Sequence, residues 1–120
     1  MRFVQPCSQQ ELVNLYRGAA VHVLPSWFET TGLVSLEAAL SGCAVVTTDR
    51  GYARDYFGDL AHYCDPSDAD SIRQAVQRAL ADGHQPELEL LVRERYSWGA
   101  VARATVAAYE AATQSASVGD

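Results

Sequence analysis

The feature that most constrains this chain is a repeated switch in the spacing of its apolar residues. Short apolar runs, too brief for helices, alternate with longer segments of helical period. Residues 20–24 (AVHVL) and 44–48 (AVVTT) are compact and apolar and are ended by Pro25-Ser26 and Arg50-Gly51, as expected of buried strands. Residues 2–5, from Arg2 to Gln5, and 60–64, from Leu60 to Cys64, are two further strand candidates. Ser8 followed by Glu11 has the form of a capping box, and Leu12, Val13, Tyr16 and Ala19 continue it at helical spacing. Residues 33–41 predict a second helix, with Leu33, Leu36, Ala39 and Leu40 on one face and Gly42 at its stop. Residues 52–57 predict one or two helical turns. Ser67 or Asp68 caps a helix running through Ala81, with Ile72, Val76 and Leu80 as its apolar stripe. Beyond the break at residues 83–86, helices are expected over about 87–95 and 97–112.

Strands that alternate with helices build βα units, hence a mostly parallel sheet with helices on its faces. The expectation is an α/β fold with about four strands. At 120 residues, 48% of them hydrophobic, the chain holds one core and is too apolar to be disordered. No internal repeat or linker divides it. Residues 1–112 read as one domain portion and 113–120 as a flexible tail. All nine cations are arginine, and the net charge is −6. A lysine-free acidic chain lacks the basic footprint of a nucleic-acid or anionic-membrane surface. It cannot carry a P-loop, which needs a lysine, and a flavodoxin-like phosphoacceptor domain is disfavoured for the same lack. No signal-peptide pattern opens the chain, and no apolar run nears the ~20 residues of a spanning helix. Cys7, Cys43 and Cys64 are odd in number, without CxxC spacing. They are expected to be reduced thiols in a cytoplasmic protein.

Ligands of open α/β sheets bind beyond the carboxyl ends of the strands, where loops meet helix N-termini. The most distinctive junction here is residues 25–42, PSWFETTGLVSLEAALSG. A strand ends at Leu24, a loop carries Glu29, Thr30 and Thr31, and a helix opens near Gly32-Leu33. The free N–H groups and dipole of that helix form an anion site. Glu37 lies four residues beyond Leu33, about 6 Å along the axis. Phosphate at the helix start and a carboxylate one turn on fit a nucleoside diphosphate, with Glu37 accepting from the two ribose hydroxyls. Glu29 is placed to accept from hydroxyls of the group that the diphosphate carries.

This stretch resembles the E-x7-E signature of the group 1 glycosyltransferases, retaining enzymes of GT-B type with two Rossmann-like domains across a cleft. Glu29 and Glu37 have that spacing. The flanking segments, residues 19–26 (AAVHVLPS) and 36–46 (LEAALSGCAVV), agree with it. So do Thr48-Asp49-Arg50-Gly51, Asp55, Asp65-Pro66 and Tyr96-Ser97-Trp98, which follow in the family's order. The resemblance implies that Glu29 binds donor-sugar hydroxyls and acts in catalysis. It implies that Thr31, Gly32 and Leu33 lend N–H groups to the diphosphate or sugar, and that Glu37 binds the ribose. Thr30 stands where the family has glycine, and its hydroxyl is a candidate compensating donor. The donor would be a nucleoside diphosphate sugar, with no metal and no cofactor. The chain would be the C-terminal part of the donor domain. The acceptor-binding N-terminal domain and the basic residues that meet the diphosphate would lie outside it. In the family's strand order, 3-2-1-4-5-6, residues 2–5 would be the third strand and the next three the fourth to sixth. Unpaired strand edges would then invite self-association.

Other residues read as structural. Trp27 and Phe28 are expected as wall and packing, His22 and His62 as strand residues, His84 as a solvated turn residue, and Cys43 and Cys64 as buried and inert. Asp49 and Arg50 follow a strand end and face the ligand side, either as cleft residues or as a simple turn. Asp65, Asp68 and Asp70 lack the glycine and distal glutamate of a calcium loop. An interaction or regulatory module derived from the same fold, without transfer activity, is the alternative reading.

Overall fold

The computed structural model describes residues 3–116. The element order is α1 (Gln9–Arg17), β1 (Val21–Leu24), α2 (Leu33–Leu40), β2 (Ala44–Thr48), α3 (Ala53–Phe57), a 3-10 turn (Gly58–Leu60), β3 (His62–Cys64), α4 (Ala69–Asp82), α5 (Pro86–Tyr96) and α6 (Trp98–Ala116). The strands form one parallel sheet in the order β1-β2-β3. Val21 pairs with Ala44, and Val46 with His62. This is the parallel α/β arrangement that the alternating pattern predicts, and it agrees with the partial Rossmann-like sheet that the family resemblance implies.

β2 is the central strand and all five of its residues are buried. Strand side chains alternate between faces, so β2 feeds two cores. Val45 joins Leu36, Ala39, Ala53, Phe57, Leu88 and Val92, under α2, α3 and α5. Ala44 and Val46 join Cys64, Ala75 and Ala79 beneath α4. The capping box at Ser8 forms as expected, with Ser8 Oγ accepting from Glu11 N–H and the Glu11 carboxylate accepting from Ser8 N–H. Asp68, not Ser67, caps α4 through Asp70 N–H.

Four expectations are corrected. Residues 3–5 form no strand, and Arg2 lies outside the described residues, so the sheet has three strands. Phe3 and Val4 stand exposed; without a neighbouring strand their backbone has no ladder to join. On α4, the residues against the sheet are Ala75 and Ala79, flanked by Ile72 and Val76, while Leu80 is exposed. At 3.6 residues per turn Leu80 is rotated about 80° from Ile72, and the small alanines let the helix approach closely. On α2 the buried arc is Ser35, Leu36, Ala38 and Ala39; Leu33 and Leu40 face outward. Finally, α6 continues to Ala116 instead of ending at Ala112. Its last turns are Ala-rich, and Thr113 Oγ1 donates to the Tyr109 and Glu110 carbonyls within the helix.

α6 begins with Ser97 Oγ accepting from Ala100 N–H. Its main neighbour is α5. Every side chain from Val101 to Gln114 is exposed, and Trp98 is 91% exposed. The chain accordingly measures 64 × 31 × 27 Å.

Candidate functional site

The loop from β1 to α2 turns sharply because Gly32 takes a left-handed conformation, φ 61°, which glycine adopts without steric cost. Gly32 is buried and directly precedes α2. Its carbonyl accepts from the N–H groups of Ser35 (2.8 Å) and Leu36 (3.1 Å). The N–H groups of Leu33 and Val34, the first two of the helix, find no acceptor among the described residues. They are the orphan donors that a helix start offers to an anion.

Glu29 reaches this point from the loop side. Its Oε1 accepts from Gly32 N–H at 3.1 Å, and its Oε2 accepts from Ser26 Oγ at 3.1 Å. An ionised carboxylate has about four acceptor sites, so two remain for hydroxyl donors. Gly32 N–H, expected to be free for a ligand, is instead committed to Glu29. The backbone of Glu29 is held as well. Its N–H donates to the Arg50 carbonyl at 3.2 Å and its carbonyl accepts from Tyr52 N–H at 2.9 Å, so that Glu29 bridges Gly51 in parallel. Gly51 has φ 96°, and a Cβ there would collide with the Glu29 main chain.

Glu37 stands half-buried on the outward side of α2. Its carboxylate makes no hydrogen bond or ion pair among the described residues. Burial, and then the nearby Glu37 charge, push the Tyr16 phenol up. Glu37, Thr31 and Leu33 share a groove of about 980 Å³ between α2, α5 and α6, with Arg95, Tyr96 and Trp98 on its opposite wall. A volume of this order suits a small-molecule ligand. The groove brings three of the expected residues together. Glu29, Thr30 and Gly32 are not on its walls: Thr30 is exposed, and Glu29 with Gly32 closes the turn beside it.

His22 lies on β1, with Nε2 3.1 Å from Ser35 Oγ and its ring edge-on to Tyr16. Burial pulls its pKa down, consistent with a neutral strand residue. Cys43 and Cys64 are buried, and burial raises both thiols. His84 is exposed in its turn, as expected, with Nδ1 3.1 Å from the Gly42 carbonyl. Trp27 (67% exposed) and Phe28 do not pack inside. Trp27 lies under the Arg50 guanidinium, and Phe28 meets Tyr52 edge-on. Asp65, Asp68 and Asp70 each have a structural partner: Ser67 with Arg50, the α4 start, and Arg73. Arg95 and Gly51 had not been singled out as site residues. A glycine directly after a strand-end turn was the available signal for Gly51. Arg95 carried none, because only the fold brings α5 opposite α2.

A helix start with free N–H groups, after the carboxyl end of a parallel strand and between two glutamates eight apart, is joined by a family match. The family described as glycosyl transferases group 1 matches residues 1–97. The chain belongs to this family. It is 35% identical to a glycogen synthase of Mycobacterium tuberculosis, over 92% of this chain and 28% of that protein. It is 33% identical to a D-inositol 3-phosphate glycosyltransferase of Streptomyces coelicolor, over 96% of this chain and 26% of that protein. With the O-antigen chain mannosyltransferase B of Escherichia coli it shares 29% identity, over 92% and 30%. The chain thus spans less than a third of the length of these relatives. Among the described residues no helix is long and apolar enough to cross a membrane.

Proposed function

We propose that this chain is the C-terminal portion of the donor-binding domain of a retaining glycosyltransferase that uses a nucleoside diphosphate sugar. The observation that carries the reading is the start of α2, where two unbonded N–H groups at Leu33 and Val34 lie between the carboxylates of Glu29 and Glu37. The N–H groups and the helix dipole receive the diphosphate. Thr31 lines the same groove, and Arg95 opposite adds a positive charge. Glu37, with every acceptor site available, takes the ribose diol. Glu29 uses its two remaining sites on hydroxyls of the donor sugar and so acts at the reacting group. Thr30, exposed on the loop, offers its hydroxyl to the same ligand. In this reading the diphosphate charge is met by N–H groups and arginine, without a metal or a cofactor. The acceptor would be bound by a further domain.

Calorimetric titration of the whole protein with UDP-, GDP- and ADP-sugars tests the reading. Saturable binding of one of them, competed by its bare nucleoside diphosphate, is the expected result. Absence of binding by every member of the panel would overturn it.

A further inference from the structure

One side chain touches the loops that follow all three strands. Arg50 comes just after β2. Its Nη2 donates to Asp65 Oδ1 at 2.7 Å and to Ser67 Oγ at 3.1 Å, both in the turn after β3. Its guanidinium carbon lies 5.2 Å from the ring centroid of Trp27, in the loop after β1. The Arg50 main chain is equally committed. Its N–H donates to Thr48 Oγ1 at 3.1 Å, and its carbonyl accepts from Glu29 N–H. Glu29 is therefore fixed twice to the same residue, through its own backbone and through Trp27 two positions before it.

The Asp65 end of this clamp is preset. Asp65 Oδ1 accepts from Ser67 Oγ (2.6 Å) and Ser67 N–H (2.9 Å), while Asp65 N–H donates to Ser71 Oγ (2.9 Å). The Ser67 hydrogen bonds, and then Arg50, hold the Asp65 carboxyl below its usual range, so the partner stays charged. Both side chains are about two-fifths exposed, and an ion pair in that setting adds little to stability. Its consequence is geometric. A planar guanidinium can lie on an indole face while its edge serves two oxygen acceptors, which a lysine ammonium cannot match.

We propose that Arg50 is a positioning residue for sugar transfer: it ties the loops after β1, β2 and β3 together so that the Glu29 carboxylate stands where it orients the donor sugar. The proposal rests on the donor-site reading above. It makes turnover, not nucleotide affinity, depend on Arg50, since displacing an orienting group by about 1 Å can cost up to roughly a hundredfold in rate.

The test compares wild type, Arg50→Ala, Arg50→Lys, Asp65→Ala, Glu29→Gln and the Arg50→Ala/Glu29→Gln double variant in the whole protein. Three quantities are measured: kcat and KM with the donor sugar nucleotide, Kd for the bare nucleoside diphosphate, and hydrogen exchange of peptides covering residues 26–32 and 49–53. Arg50→Ala should lower kcat by about tenfold or more, leave the bare nucleotide affinity unchanged, and speed exchange in both peptides. Arg50→Lys should not restore kcat. The double variant should be no slower than Glu29→Gln alone within about twofold, because residues acting through one another are not additive. Wild-type kcat in Arg50→Ala, independent losses that multiply in the double variant, or unaltered exchange would overturn the proposal. Should Arg50→Ala not fold, Asp65→Ala, which removes the acceptor of the Arg50 and Ser67 hydrogen bonds, must show the same kcat loss; wild-type kcat there is equally decisive against it. If Glu29→Gln itself leaves turnover intact, the donor-site reading fails and takes this proposal with it. If Glu29→Gln slows turnover and Arg50→Ala does not, only the role of Arg50 falls.

Discussion

Glu29 and Gly51 lie main chain against main chain, joined as a parallel bridge outside the regular sheet. The contact is close enough that Gly51 has no room for a Cβ. The Glu29 carboxylate, which closes the turn beside the groove, is thus supported by a glycine 22 residues away, and the two loops are joined through their main chains.

Gly51→Ala should accordingly be costly. The residue has φ 96°, and holding a non-glycine residue in such a conformation costs roughly 1–3 kcal/mol. The collision with the Glu29 main chain adds to that by pushing the two loops apart. A lower melting temperature together with slower sugar transfer is expected. A variant with unchanged melting and unchanged kcat would mean that the loops separate without consequence for the site.

Glu37→Ala should chiefly weaken nucleotide binding. A charged acceptor lost from a pair of hydroxyls costs about 1.5–3 kcal/mol, or roughly ten- to a hundredfold in affinity. The fold should be retained, because the Glu37 carboxylate has no hydrogen-bonded or ionic partner to abandon among the described residues and alanine favours a helix. Titration of the bare nucleoside diphosphate reads this directly, and unchanged affinity would remove Glu37 from the site.

Glu29→Gln should divide binding from turnover. The amide oxygen can still accept from Gly32 N–H or Ser26 Oγ, so the turn should survive. Charge and acceptor capacity toward the sugar are reduced, and an interaction that orients the reacting group appears mainly in kcat. Nearly normal affinity for the bare nucleotide with slower transfer is expected. Equal losses for bare nucleotide and sugar nucleotide would place this carboxylate at the other end of the ligand.

The 120-residue chain by itself should neither transfer sugar nor remain monomeric. Holding donor beside acceptor supplies much of the rate, and the groove beside α2 is walled among the described residues by α5, α6, Thr31 and Tyr56 of α3. The outer edge of β1 is unpaired among the described residues, with Val23 exposed, and α6 presents Trp98, Val101, Val106 and Tyr109 uncovered. Unpaired edges and apolar surfaces recruit other chains. Light scattering across concentration and a transfer assay on the isolated chain check both halves; a concentration-independent monomer would contradict the first, and transfer above background the second.

Period and punctuation alone determined most of the architecture. The β-branched runs at residues 21–24 and 44–48, the capping box at Ser8 and the glycine after α2 are local signals, and each needs only nearby residues to act. The spacing of Glu29 and Glu37 was legible for the same reason, since a helix start and a helical turn set it. Tertiary structure decided what depends on partners. Residues 3–5 have strand-like composition but no strand beside them among the described residues, so they join no ladder there. Leu80 has the right period for the core, yet the alanines beside it fit the sheet more closely. Arg50, Asp65 and Trp27 met because three strand ends converge at one edge of the sheet. Such encounters join residues up to 38 positions apart, from Trp27 to Asp65, and no local spacing encodes them; they follow from the parallel stacking of β1, β2 and β3.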